Sequence, residues 1–418
     1  MAFLLESLSA CFPSTLPWSR SRSLAIAPDP GHYQPTPNEV LVGRYEVRAK
    51  LETGAGFSTW LVKDFEAAQT PRFLAVKILT LDATQDHVER ARIQRELECD
   101  MKIQGSGLPA SHLHSYVDVL HIPSSWGQTH LGLVTEFFEK PVASLQDSSP
   151  NKTLPVHTVK HITKQVLQAT ATLHALDIIH TDITSDNVLI HSGLDGKSID
   201  ECVHALPSDR NEKKYPFLES FNWDASPEEA MRVKVSLAGL GQCQSVGSST
   251  LLGNCTVTLF SAFQLRAPEV ILRGNFGTAI DTWAIGCLVF DMLVGRWLFH
   301  PEEGDDWTLE DDHLARMMEL TGERFSYSQL EASELRYRYF DDQGNLTRIS
   351  NLLWTPLEDA LSRYNVLPKE EVIPAASFIR ECIRLDPAER STAAALLLHP
   401  WLRDIHSSRF RQPCHALI

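Results

Sequence analysis

No run of apolar residues in this sequence approaches the roughly 18–20 that a helix needs to cross a bilayer. The richest stretch, Gly286 to Phe299, carries Asp291 and Arg296 within it and reads as a buried core helix. Zinc and redox spacings are lacking as well. Eight cysteines, at positions 11, 99, 202, 243, 255, 287, 382 and 414, are scattered with no close pair, which speaks for a reduced intracellular compartment. Positive charge is in short supply, with 38 Lys and Arg against 53 Asp and Glu, a formal net charge of -15. A balance this acidic disfavours direct contact with nucleic acid and draws basic partners at long range. Internal repeats are absent too.

What is present is an ordinary globular composition, 43% apolar and 22% charged, over 418 residues. That length suits a two-lobed enzyme with appendages. Residues 1–38 hold Pro13, Pro17, Pro28, Pro30, Pro35 and Pro37 with little periodicity, and are expected to be a disordered tail. The Arg- and Ser-rich, acid-poor composition of residues 1–30 leaves a mitochondrial leader open. Ser19-Arg20-Ser21-Arg22-Ser23 leaves a modification site open.

From Tyr45 to Leu79 the pattern predicts strands broken by a glycine turn, namely YEV, TWLV and FLAVKIL. Helical periodicity follows over Asp86 to Lys102, then a strand at HLGLVTEFF. Ile162, Val166, Ala169, Leu173 and Leu176 predict an amphipathic helix. Residues 192–230 are polar without a clear period and read as a surface insertion. After Glu269 the chain is mostly helical, and Asp281 to Leu298 is apolar nearly all round. Strands first and helices later predict an α+β protein of two lobes. The expected division is an N-lobe over 44–138, a C-lobe over 139–403 and a tail over 404–418.

Four patterns carry chemistry. Leu51-Glu52-Thr53-Gly54-Ala55-Gly56-Phe57 is a glycine turn between strands, where a bare backbone can approach phosphate oxygens. Lys77, in Leu74-Ala75-Val76-Lys77-Ile78, needs a carboxylate or water, since burying a lone ammonium is costly. Glu96, on the helical stretch that follows, is the expected partner. His180-Thr181-Asp182-Ile183-Thr184-Ser185-Asp186-Asn187 puts an Asp five residues before an Asn, between apolar runs. That spacing suits a proton acceptor and a metal ligand in phosphoryl transfer. Finally come Arg266-Ala267-Pro268-Glu269 and Leu385-Asp386-Pro387-Ala388-Glu389-Arg390; both runs resemble protein-kinase motifs, and that resemblance implies a buried ion pair between Glu269 and Arg390.

In this order the patterns resemble those of protein kinases over roughly residues 44–403, and most closely the SR-protein kinases. The sequence His180-Thr181-Asp182-Ile183, the run Phe57-Ser58-Thr59-Trp60-Leu61 and the stretch Asp312-His313-Leu314-Ala315 carry that likeness. The resemblance implies a bilobal kinase fold with ATP and Mg2+ as cofactors. It implies a Ser/Thr kinase acting as a monomer, in cytoplasm or nucleus, on basic Arg/Ser-rich proteins. Asp182, Lys77 and Asn187 become the catalytic residues. Leu51, Gly54, Gly56, Lys77, Glu96, Glu136 and Phe138 become the nucleotide site, and Asn187 with Asp186 the metal ligands. With threonine at 181, a phosphorylated activation loop lacks its usual arginine partner.

Four positions depart from the family. Gly239, in Leu237-Ala238-Gly239-Leu240-Gly241, stands where a metal-binding Asp is expected. Thr184 replaces a lysine, Glu52 replaces the first glycine of the turn, and the turn is offset by one residue. Two readings therefore stand side by side, an active kinase and a binding module that keeps the fold with impaired Mg-ATP handling. A small-molecule kinase of related fold is disfavoured by Trp283 and by the Glu269 and Arg390 motifs. The stretch Glu302 to Asp312 holds seven acids in eleven residues. It reads either as a solvated loop or, by the resemblance, as a dock for arginine-rich substrate.

Overall fold

The computed structural model of the protein describes residues 31–36, 38–67, 71–124, 127–204, 220–246 and 262–403. The tail over 404–418 and the stretch 1–30, with its Ser/Arg run, lie outside these residues. Two compact units emerge. One comprises Met1–Val142, Asp186–Asn222 and Val233–Cys243, the other Ala143–Ser185, Trp223–Arg232 and Gln244–Ile418.

The first unit is built on strands β1 (Val40–Leu41), β2 (Tyr45–Thr53), β3 (Phe57–Asp64), β4 (Arg72–Leu79), β5 (Tyr116–Pro123) and β6 (Thr129–Glu136). They form a six-stranded sheet in the order β1-β2-β3-β4-β6-β5. Alternation along β4 sends Val76 and Ile78 into a core with Tyr45, Val62, Leu120 and Val134, and Lys77 to the other face. Two short helices of the same unit follow β4. These are α1 (Leu81–Gln85), capped by the Thr80 side chain, and α2 (His87–Gly105), capped by Asp86, whose carboxylate accepts the Glu89 N–H at 2.8 Å.

Strand β5 had no clear signal in YVDVLHIP, because its faces are only half-buried apart from Leu120 and Ile122. The residues from 31 to 36, expected as part of a tail, are bound to the sheet instead. His32 Nε2 donates to the Gly54 carbonyl at 3.0 Å, and the Gly31 carbonyl accepts the Leu81 N–H at 3.1 Å.

Strand β7 (Phe138–Pro141) pairs with β9 (Val188–His191), which pairs with β10 (Val235–Leu237), making a three-stranded sheet in the same unit. The insertion read as lacking periodicity also departs from expectation. It contains a helix at Gly196–His204 whose Ile199 and Val203 pack on Ala49, Leu61, Phe73 and Phe137. Asp200 on that helix faces Lys63 at 3.3 Å and Arg48 at 3.4 Å. The polar surface of the helix masked its apolar stripe.

The second unit is helical. Its centre is the helix Ala279–Val294, buried on every side as its sequence predicts. The helix stops short of the expected Leu298 because Gly295 takes φ 74°, which ends the helix in the left-handed region. A Cβ there would lie 1.9 Å from the Asn151 carbonyl oxygen, so no other residue fits. The amphipathic helix Val156–Ala175 packs alongside, and strands β8 (Ile178–Ile179) and β11 (Gln244–Ser245) pair antiparallel.

Glu269 and Arg390, 121 residues apart, do form the expected buried pair. Arg390 Nη1 and Nη2 donate to Glu269 Oε1 and Oε2 at 2.6 and 2.8 Å, and the guanidinium lies 4.9 Å from the Trp283 ring centroid. Two parallel bonds hold the fork, and Arg390 Nε also donates to the Arg384 carbonyl at 2.7 Å. Replacing Glu269 by Ala leaves a buried guanidinium short of its counter-charge. We expect a loss of about 3–5 kcal/mol in denaturant unfolding; an unchanged midpoint would contradict the role given to this pair.

Candidate active site

Each group of site residues is held by its own unit. In the first, the backbone turns between β2 and β3 with the Gly54 N–H donating to the Phe57 carbonyl at 2.9 Å. A Cβ on Gly54 would come within 2.4 Å of the Phe57 ring, so glycine is what lets the ring fold under the turn. The same ring carries the Lys77 ammonium, with Nζ 4.2 Å from its centroid. Burial pushes the Lys77 pKa down, and the neighbouring Arg92 charge pushes the same way. Glu89, Glu96 and Glu52 pull in the opposite direction. Glu52, the residue that replaces a glycine, is therefore felt at the lysine.

The expected Lys77–Glu96 ion pair is not made. Among the described residues no carboxylate lies within 4.0 Å of Lys77 Nζ. Glu96 accepts the Tyr116 hydroxyl hydrogen and faces Arg92 Nε at 4.0 Å. Tyr116, on β5, was missed because nothing in the sequence singles out a tyrosine in a weak strand. Its hydroxyl pKa is driven up by burial and then by the Glu96 charge.

Asn187 and Gly239 meet where the antiparallel strands β9 and β10 begin and end, respectively. The Ala238 N–H donates to the Asn187 carbonyl at 2.8 Å. A Cβ on Gly239 would fall 2.7 Å from the Asn187 side chain, and Gly239 has φ 88°. The Asn187 amide thus fills the room that a side chain at 239 would need. Asp186 is exposed, and Asn187 is partly so. Leu51 packs beside Ala49 and Leu61. Glu136 accepts from His191 Nδ1 at 3.3 Å, which lowers its pKa, and Phe138 meets the His191 ring edge-on at 4.7 Å. A small pocket of about 160 Å³ is lined by Glu136, Phe138, His191 and Ser236.

In the second unit, Asp182 sits in a loop tied down by Asp281, which opens the run Asp281 to Cys287 and to which the sequence assigned no role. Asp281, 1% exposed, accepts the His180 N–H and the Thr181 N–H at 2.8 Å each, and His174 Nε2 at 2.9 Å. Thr181 is held at φ 70°, rare for a β-branched residue. The Asp182 N–H donates to His180 Nδ1 at 3.2 Å. His180, Thr181, Ile183, Thr184 and Ser185 are buried, while Asp182 is half-buried. The arrangement fixes one carboxylate-bearing residue on a rigid backbone. A charged residue at 281 opening a helix was visible in the sequence, but its target, a hundred residues earlier, was not.

The acidic stretch is divided in use. Asp311 is buried, caps its helix and meets Arg348 Nη1 at 2.9 Å, and Asp312 meets Arg316 at 2.6 Å. Glu302, Glu303, Asp305 and Asp306 remain exposed.

Comparison with known proteins matches residues 46–402 to a family model described as "Protein kinase domain". The chain is 28% identical to the "Serine/threonine-protein kinase SRPK" of Physarum polycephalum over 395 residues, covering 90% of each chain. It is 25% identical to the "Protein kinase dsk1" of Schizosaccharomyces pombe, covering 88% of this chain and 82% of that one. A shorter match to the "Serine/threonine-protein kinase SKY1" of Saccharomyces cerevisiae is 33% identical over 43% of this chain and 23% of that protein.

Asp281→Ala orphans two buried backbone donors, each worth about 1–3 kcal/mol when unpaired. We expect a stability loss of about 4 kcal/mol in that scheme, with the 180–181 amides losing hydrogen-exchange protection. Unchanged protection would contradict the anchoring role.

Proposed function

Because the chain belongs to the protein kinase family, matched over residues 46–402, we propose that it is an ATP-dependent serine/threonine kinase that phosphorylates serine in Arg/Ser-rich proteins. The observation that carries the reading is the Asp182 loop, whose backbone amides at 180 and 181 are held by Asp281 while Asp182 itself stays half-buried between buried neighbours. The relatives named as serine/threonine-protein kinases, among them SRPK, support the acceptor type.

The roles follow from chemistry. The glycine turn and the Lys77 ammonium bind the phosphates of ATP, with Leu51, Glu136 and Phe138 bordering the base. A substrate serine hydroxyl attacks the γ-phosphorus as the bond to the β–γ bridging oxygen breaks, leaving ADP. Asp182 orients the hydroxyl and takes its proton. Thr184, buried, offers no charge for the transferred group.

Protein kinases as a family use ATP with Mg2+. The donor set here does not reproduce that arrangement, since position 239 has no carboxylate and no group of three His, Cys, Asp or Glu among the described residues is placed to hold a metal. Magnesium is commonly held through one or two carboxylates together with phosphates and water. Asn187 and Asp186 are the oxygen donors that would hold the ion together with the phosphates.

The exposed acids Glu302, Glu303, Asp305 and Asp306 are the surface we assign to the arginines of the substrate. The chain acts as a monomer in cytoplasm or nucleus. Among the described residues, no helix is long and apolar enough to cross a membrane.

Transfer of labelled phosphate from ATP to an Arg/Ser repeat peptide tests the proposal. Asp182→Ala should lower the rate by at least about a hundredfold. Equal incorporation by the two proteins would sink it.

A further inference from the structure

Two cysteines that stand 144 residues apart in sequence meet in the first unit. Cys99 Sγ, on α2, lies 2.7 Å from Cys243 Sγ. Both are free thiols and both are buried. Cys243 closes the 3-10 turn Leu240–Gln242 that directly follows Gly239, its N–H donating to the Leu240 carbonyl at 3.1 Å.

The contact is part of a built seam. Arg92, Arg95, Glu96 and Cys99 share one face of α2, spaced by three, four and seven residues. The Arg92 stem lies against Gly241, where a Cβ would come within 2.2 Å of its Cγ, and Arg95 Nη1 donates to the Gly241 carbonyl at 2.5 Å. Three successive points therefore hold α2 to the turn, and the thiol pair is the last of them. In this arrangement Glu96 is bonded to Tyr116, and Lys77 rests on Phe57.

We propose that Cys99 and Cys243 are a site of reversible disulfide formation, a cross-link that fixes α2 to the turn after Gly239 in the register that keeps Glu96 on Tyr116 and off Lys77. Hydrogen peroxide is the oxidant. The Cys99 thiolate attacks one peroxide oxygen, the O–O bond breaks, and a sulfenic acid and hydroxide form. Cys243 sulfur then attacks Cys99 sulfur and expels the second hydroxide. The two thiol protons convert both hydroxides to water, so two thiols and one peroxide give one disulfide and two waters. A dithiol reductant reverses the bond. The hydrogen bond between the sulfurs holds the Cys99 pKa down, which suits Cys99 to attack first; transfer of the shared proton lets Cys243 take the same part.

The cross-link stands on geometry alone. Its consequence for phosphoryl transfer rests on the kinase reading, in which a Lys77–Glu96 pair is required for full rate. The test uses the full chain treated with hydrogen peroxide, followed by alkylation and peptide mapping. A Cys99–Cys243 linked peptide should form, vanish with dithiothreitol, and be missing from Cys99→Ser and Cys243→Ser. The oxidised protein should melt about 5 °C higher than the reduced one, because the bond closes a long loop of the unfolded chain. Transfer to the Arg/Ser peptide should fall several-fold on oxidation, return on reduction, and be indifferent to peroxide in Cys243→Ser. Failure to find the linked peptide overturns the proposed site. Formation of the link with no change in transfer overturns the locking consequence. Should the reduced protein transfer nothing at all, the kinase reading fails, while mapping and melting still decide the cross-link.

Discussion

The ammonium of the half-buried Lys77 is the constraint around which the first unit is arranged. Strand alternation forces its side chain onto the face opposite the Val76 and Ile78 core. Once there, it lacks a carboxylate within ion-pair distance among the described residues and leans on the Phe57 ring. A cation–π contact is worth about 0.5–2 kcal/mol. That is small beside the cost of desolvating an ammonium, and the downward push of burial on its pKa records the imbalance. In the proposed function an arriving phosphate resolves it. The glycine at position 54 follows from the same constraint, because only a residue without Cβ leaves space for the ring beneath the turn.

Glu96 is the second party to this imbalance. The carboxylate is on the right helix, but Tyr116 and Arg92 engage it. The helix itself is pinned to the turn after Gly239 by Arg92, Arg95 and Cys99. Position 239 thus matters beyond the loss of a metal-binding carboxylate. The glycine admits the Asn187 amide on one side and begins, with φ 88°, the turn that receives α2 on the other. Any side chain there has to move Asn187 and abandon a left-handed backbone that favours glycine.

Much of this was legible from residue order. Lys77 announced itself as a cation in an apolar strand, where burying an unpaired charge is costly, although the partner expected for it is engaged elsewhere. The Glu269–Arg390 pair followed from the resemblance to protein kinases and is made. The Asp182 loop was legible because its spacing is local. The family match over residues 46–402 agrees with the kinase fold read from the sequence.

What escaped depends on contacts between distant segments. Asp281 stood at the start of an apolar helical stretch with no role assigned, yet it holds two backbone amides a hundred residues away. Tyr116 sits in a strand too evenly half-buried to show alternation. Cys99 and Cys243 show no spacing because the fold, not the chain, brings them together. His32 and the helix Gly196–His204 were hidden by polar, proline-marked surroundings that resemble unstructured chain. The Lys77–Glu96 pair was a correct choice of elements but not of partners, since a tyrosine hydroxyl competes for the same carboxylate.

The central claim is that an anion of the nucleotide satisfies the Lys77 ammonium. Titrating a fluorescent ATP analogue into the wild-type protein and Lys77→Met, with adenosine as the phosphate-free control, tests it most directly. The account predicts at least about tenfold weaker binding of the analogue to the variant, a difference of about 1.4 kcal/mol, with adenosine binding equal in the two. Equal affinity for the triphosphate in both proteins would contradict it.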